Sequence, residues 1–198
     1  MPRGPGAGVR VIAGAHRGRR LVVPAGEGVR PTKDIVREAM FSALDARGMI
    51  AESSVLDLYA GSGALAIESL SRGAATAVLV ERDGSALEAI AHNLEHLGLR
   101  ERGRVARANV VSLVAAPPPR EAPFDLVFAD PPYDTVDHDV DALLAALAAP
   151  GWLAADSLIA VERPAGAEMR PPEGFRACWE RTFGDTLVFF VDRNDSPI

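Results

Sequence analysis

Residues 55–66 read Val-Leu-Asp-Leu-Tyr-Ala-Gly-Ser-Gly-Ala-Leu-Ala, an apolar run that breaks into a two-glycine turn and restarts at once with helix-forming residues. This constrains the fold more than any other segment. A nearly uninterrupted apolar strand must be covered on both faces, and crossover helices supply that cover in a parallel sheet. Gly61 and Gly63 lack a Cβ, so the backbone can bend sharply there and approach a ligand closely.

The rest of the chain repeats the theme. Candidate strands at Val55–Tyr59, Ala77–Glu81, Arg104–Ala108, Asp125–Ala129 and Ser157–Glu162 alternate with candidate helices at Gly63–Ser71, Ser85–Leu97, Val110–Val114 and Val136–Ala148. Two further β-type runs, Ala177–Thr182 and Thr186–Asp192, flank a Phe183-Gly184-Asp185 turn and predict an antiparallel hairpin on the sheet edge. The expected fold is therefore α/β, a seven-stranded Rossmann-like sheet with helices on both faces. Ahead of it, Ile35, Val36, Ala39, Met40, Ala43 and Leu44 form one apolar face of a helix from Thr32, its expected N-cap, to Arg47. Earlier still, Val9–Ala13 and Arg19–Val23 predict a small β-hairpin across residues 14–18. The proline-rich stretches 117–123 and 164–172 read as surface loops. A chain of 198 residues holds one sizeable domain and a short appendage, here divided as an arm at 1–30 and a catalytic domain at 31–198.

Charge separates the two parts. Residues 1–50 carry nine Lys+Arg and four Asp+Glu, a net of +5, so the remainder of a chain of net −6 carries −11. Arg3, Arg10, Arg17, Arg19 and Arg20 meet no acid within the first twenty residues, which predicts contact with a polyanion. Residues 1–8, rich in Gly and Pro, read as a solvated leader. No apolar run approaches a membrane span, no secretory signal is evident, and the single cysteine, Cys178, fits a reducing compartment. A cytoplasmic, monomeric protein is expected, with no membrane partner.

Glu81 lies twenty residues beyond Gly61, at the end of the next candidate strand, where a carboxylate can accept both hydroxyls of a ribose. The glycine pattern alone fits a nicotinamide cofactor as well as S-adenosylmethionine. Asp57 separates them. An acid at the end of the first strand, facing the cleft, repels a pyrophosphate and attracts an ammonium and a sulfonium. The Asp-x-x-x-Gly-x-Gly run resembles the cofactor loop of class I methyltransferases, and Asp57, Tyr59, Gly61, Gly63, Glu81 and Asn109 are the expected cofactor-binding residues.

A second motif follows a buried strand: Asp130-Pro131-Pro132-Tyr133. Consecutive prolines remove freedom and donors, leaving a rigid turn of acceptors beside an aromatic ring. Such a turn suits a planar NH₂ group. Asp130 and a carbonyl of the Pro131–Pro132 segment would accept its protons, and Tyr133 would stack on its ring. The nitrogen lone pair is then free to attack a sulfonium methyl in line, with no metal required. The motif resembles that of amino-methyltransferases acting on adenine, cytosine, guanine or glutamine amides.

The segments Arg10–Leu21 and Arg30–Phe41, with Leu58–Ala74, Asp130–Tyr133, Gly151-Trp152-Leu153 and Gly184-Asp185-Thr186, resemble the RsmD family over roughly residues 9–190. Ala13, Lys33, Ile35 and Ala66 depart from its usual pattern. The resemblance implies methyl transfer from S-adenosylmethionine to N2 of one guanine in 16S ribosomal RNA. It further implies a substrate within the small subunit or its assembly intermediate, and an N-terminal hairpin that grips RNA through Arg10, Arg17, Arg19, Arg20 and Arg30. The alternatives are a DNA-adenine or protein-glutamine methyltransferase, a nicotinamide-dependent oxidoreductase, and a non-catalytic RNA-binding module. His92 and His96 share a helix face without a third metal ligand in view. Asp134, Asp137, Asp139 and Asp141 read as helix N-terminal charge.

Overall fold

A computed structural model of the chain describes residues 9–24, 31–132 and 135–194. The apolar runs become strands and the amphipathic runs helices, in the order α1 (Pro31–Asp45), β1 (Ser54–Leu58), α2 (Ala64–Ser71), β2 (Thr76–Glu81), α3 (Gly84–His96), β3 (Gly103–Arg107), α4 (Val110–Val114), β4 (Phe124–Ala129), α5 (Asp137–Leu147), β5 (Leu153–Pro164), β6 (Phe175–Phe183) and β7 (Thr186–Arg193). One seven-stranded sheet runs β3-β2-β1-β4-β5-β7-β6. The first five strands in that order are parallel, and β7 is antiparallel to both β5 and β6.

Strand parity sorts the core. Val55, Leu79, Phe128, Ala160 and Phe190 face α1, α2 and α3, whereas Leu58, Val80, Ala129, Val161 and Phe189 face α4 and α5. α1 opens at Pro31, so Thr32 falls inside the helix instead of capping it; proline suits a first helical position, where its missing N–H costs nothing. β5 starts four residues before the expected Ser157. Its Ala155 and Asp156 are exposed and carry no apolar signature.

The N-terminal hairpin pairs as expected: Val11 N–H donates to the Arg19 carbonyl, Leu21 N–H to that of Val9 and Gly18 N–H to that of Val11. A single antiparallel bridge, Arg10 to Arg20, joins its two arms. Other amides of the arm are satisfied by side chains of the helices beneath. Glu68 accepts the backbone N–H groups of Ile12 (2.7 Å) and Ala13 (3.0 Å), Ser71 Oγ accepts that of His16, and Asn93 Oδ1 accepts that of Val22. The Asn93 side-chain amide donates in turn to the carbonyls of Val22 and Ser62. Gly14 sits so close to α2 that a Cβ would lie 1.9 Å from the Ser71 carbonyl oxygen, and its φ of +78° excludes most other residues independently. Val11 and Leu21 are buried in the same core as α1. The described part of the arm is thus packed onto the body by both apolar and polar contacts.

Candidate active site

β1, β4 and β5 pair in register, Asp57 opposite Phe128 and Phe128 opposite Ala160. Asp130 and Glu162 lie two residues further along β4 and β5, hence on the same face of the sheet as Asp57. All three carboxylates line one cleft of about 650 Å³ at the C-terminal ends of the strands. Such crevices are where open α/β sheets bind ligands. Lys33, Asp34 and Arg37 from the first turns of α1, Val9 and Val23 from the arm, and Glu81 and Asn109 complete much of its wall.

The glycine turn is held from both sides. Glu81 accepts from the Gly61 N–H at 2.9 Å with one oxygen and from the Arg82 and Asp83 N–H groups with the other. Asp57, 1% exposed, accepts from the Ala66 N–H at 3.0 Å inside the first turn of α2. Tyr59 turns the chain out of β1 with a φ of +62° and lines the cleft, as do Gly61 and Asn109. Asn109 also caps α4, accepting from the Ser112 N–H.

Gly63 has a packing role as well. It is not among the residues lining the cleft; it takes a φ of +78° at the start of α2, and a Cβ there would press to 2.9 Å against Leu79. Asp130, Pro131 and Pro132 lie at the cleft, with the Lys33 ammonium 3.5 Å from an Asp130 carboxylate oxygen. Tyr133 and Arg30 lie outside the described residues. Arg10, Arg17, Arg19 and Arg20 are all exposed on the arm, away from the cleft wall, and the Arg19 guanidinium lies 3.2 Å from His96 Nε2.

Among the members of the wall that escaped the sequence reading are Lys33, Arg37 and Glu162. Arg37 is 6% exposed and donates to Asp34 and to the Arg10 carbonyl. Glu162 carries no motif, and its one sequence signal is its place at the end of an expected strand next to the one bearing Asp130. Asp139, read as helix charge, does sit in the first turn of α5 and lines the cleft too, while Asp137 pairs with Arg163 at 2.7 Å. Among the described residues no cluster of three His, Cys, Asp or Glu is arranged to hold a metal. Cys178 is half-buried on β6, with burial and the nearby Asp192 pushing its thiol up to about 11, so it stays protonated near neutrality.

Crowding of acids sets the electrostatics. Burial, then the charges of Asp130 and Glu81, push Asp57 up to about 7. Burial and then Asp130 push Glu162 up to about 8, against the pull of Lys33 and Arg37. Carboxylates so placed are short of positive charge. The set of acceptors therefore fits a ligand carrying an ammonium and a sulfonium, with a ribose against Glu81, and disfavours a pyrophosphate.

Class I methyltransferases are built on this sheet, with an antiparallel β7 between β5 and β6 and the ligand cleft at the β1 turn; by its fold the chain is one of them. Residues 9–192 match the family model described as conserved hypothetical protein 95. Over 162 residues the chain is 40% identical to the ribosomal RNA small subunit methyltransferase D of Escherichia coli K12, covering 81% of this chain and 78% of that one. It is 36% identical over 177 residues to the enzyme of the same name from Haemophilus influenzae, with 89% of each chain covered. The solved structure of yhhF from Escherichia coli superposes with a TM-score of 0.80 at 35% identity, covering 93% of this chain and 97% of that one. The chain belongs to the RsmD family.

Proposed function

We propose that this protein transfers a methyl group from S-adenosylmethionine to N2 of a specific guanine in 16S ribosomal RNA, presented within the small subunit or an assembly intermediate in the cytoplasm. The observation that carries this reading is the convergence of Asp57, Glu81 and the rigid Asp130-Pro131-Pro132 turn on one acid-lined cleft. The names of the curated relatives supply the RNA. The cofactor brings the electrophilic methyl. Asp57 faces its cationic end, Glu81 holds its ribose, and Asn109 borders its base. Asp130 and a neighbouring carbonyl accept protons of the target amine, and Tyr133 stacks on the base. No helix among the described residues is long and apolar enough to cross a membrane.

Mass spectrometry of ribosomal RNA from cells with and without the gene tests the reading directly; a small subunit with unchanged guanine methylation would refute it. A nicotinamide cofactor would place a pyrophosphate among these acids, and saturable NAD binding without any response to S-adenosylmethionine would restore that alternative.

Cofactor binding should depend on pH in a defined direction. The native Asp57 holds its proton to about pH 7, whereas the unfolded chain releases it near 3.8, so its ionisation weighs against the folded state increasingly as pH rises through that window. A cationic ligand favours the ionised form. Binding should therefore release protons near pH 6.5, and affinity should climb with pH and level off above about pH 8. Calorimetry in buffers of different ionisation heat reads the proton count, and Asp57→Asn should remove most of it. Affinity that is flat from pH 6 to 8.5 would place the cation elsewhere.

The arm is assigned to RNA. Replacing Arg17, Arg19 and Arg20 by alanine should weaken RNA binding and reduce the slope of log K against log salt by up to about 2–3, since each lost phosphate contact removes roughly 0.7–0.9. Cofactor affinity should stay within about twofold. Equal losses of both would make the arm purely structural.

A further inference from the structure

The mechanism uses Asp130 but leaves its neighbour Glu162 without a task. Ala129 pairs with Val161, so Asp130 and Glu162 follow side by side on adjacent parallel strands, roughly 5 Å apart at the backbone. Both line the cleft, and Glu162 also borders the small recess formed by Asp130, Pro131, Arg163, Pro164 and Thr186. Among the described residues no hydrogen bond or ion pair reaches the Glu162 carboxylate, although Lys33 and Arg37 are near enough to favour its ionised form.

Two acceptors set side by side match one pattern on a nucleobase. Guanine presents N1–H beside N2–H₂, three donors along one edge; adenine and cytosine place an unprotonated ring nitrogen next to their amine. We propose that Glu162 is the base-selecting residue, its carboxylate accepting N1–H of the target guanine while Asp130 accepts a proton of N2. Once Glu162 is ionised, above about pH 8, a base with a lone pair at that ring position would meet the carboxylate head-on and be rejected. This rests on the reading that a guanine N2 is the methyl acceptor. Burial adds to the selectivity, since a carboxylate withdrawn from water is costly to leave without a donor.

The test substitutes the base and the residue together. In small-subunit particles the guanine methylated by the parental enzyme is first mapped by mass spectrometry, then replaced by 2-aminopurine, which keeps the N2 amine but bears a lone pair at N1. At pH 8.5, where Glu162 is ionised, the parental enzyme should prefer guanine by at least about tenfold in kcat/KM. Glu162→Gln has the same shape and can turn its amide N–H toward N1, while Asp130 still accepts from N2. It should lose about ten- to a hundredfold on guanine, and its preference should collapse or reverse. Equal loss on both particles, or a parental enzyme that methylates 2-aminopurine as fast as guanine, would overturn the role of Glu162 while leaving the proposed function standing. A parental enzyme that methylates no guanine N2 would remove both.

Discussion

Asp130→Ala should slow methyl transfer by about 10²–10³, the range expected when one preorganised group aimed at the transition state is removed. The argument starts from the backbone. β4 delivers Asp130 to the cleft, and the two prolines that follow fix its direction, with Pro131 buried. An acceptor held in that way does not reorganise as the amine nitrogen rehybridises, so its contribution appears in the transition state far more than in the bound ground state. Affinity for RNA and cofactor should accordingly change only a few-fold. Asp130→Asn retains an acceptor oxygen without the charge and should keep partial activity. Single-turnover transfer to particles lacking the modification is the measurement. Parental rates from Asp130→Ala would mean that the Asp-Pro-Pro turn is scaffold and that the acceptor lies elsewhere in the cleft.

The largest effect on stability should come from a residue remote from the chemistry. Glu68 is 1% exposed and serves three donors: the N–H groups of Ile12 and Ala13 and, at 2.7 Å, the Arg72 Nε. Arg72 also pairs with Asp45 and lies over the Phe41 ring, so it cannot easily swing out to water. Glu68→Ala leaves a guanidinium short of one of its two acid partners and two backbone donors unmatched, a change that costs about 3–5 kcal/mol. For a domain of this size the midpoint of thermal unfolding should fall by roughly 6–20 °C. Glu68→Gln, which keeps the acceptor oxygen, should fall less. Tryptic cleavage at the arm's arginines should accelerate in parallel. A change of only 1–2 °C would mean that the arm holds itself in place.

The contrast between these two residues shows where the sequence was informative. Strands β1, β2 and β4 were legible because continuous burial leaves a continuous apolar run, and Asp57, Glu81 and Asp130 were legible because each stands at a fixed distance from a glycine turn or a proline pair. The arm's hairpin was legible but its anchoring to the body was not, because the partners Glu68, Ser71 and Asn93 lie more than fifty residues away and belong to helices. Alternating β-type residues indicate an extended chain but not what satisfies its amides. The packing demand on Gly63 was not legible, because it comes from Leu79 on the neighbouring strand. Lys33, Arg37 and Glu162 reach the cleft by tertiary packing of α1 and β5, for which no local spacing exists.

Among the described residues the sheet order also leaves β3 and β6 on the outside, each with one row of backbone donors and acceptors unmatched by a neighbouring strand. Exposed rows of that kind template the addition of a strand from another molecule, the first step toward aggregation during synthesis or heating. Both outer strands carry charge in those positions: Arg104 and Arg107 on β3, Glu180 and Arg181 on β6, all exposed. An incoming strand would have to strip water from these groups before it gained a single hydrogen bond. The same side chains that contribute nothing to the cleft thus act as end-stops on the sheet, and neutral apolar replacements along β6 would turn a self-limited seven-stranded sheet into one that can grow.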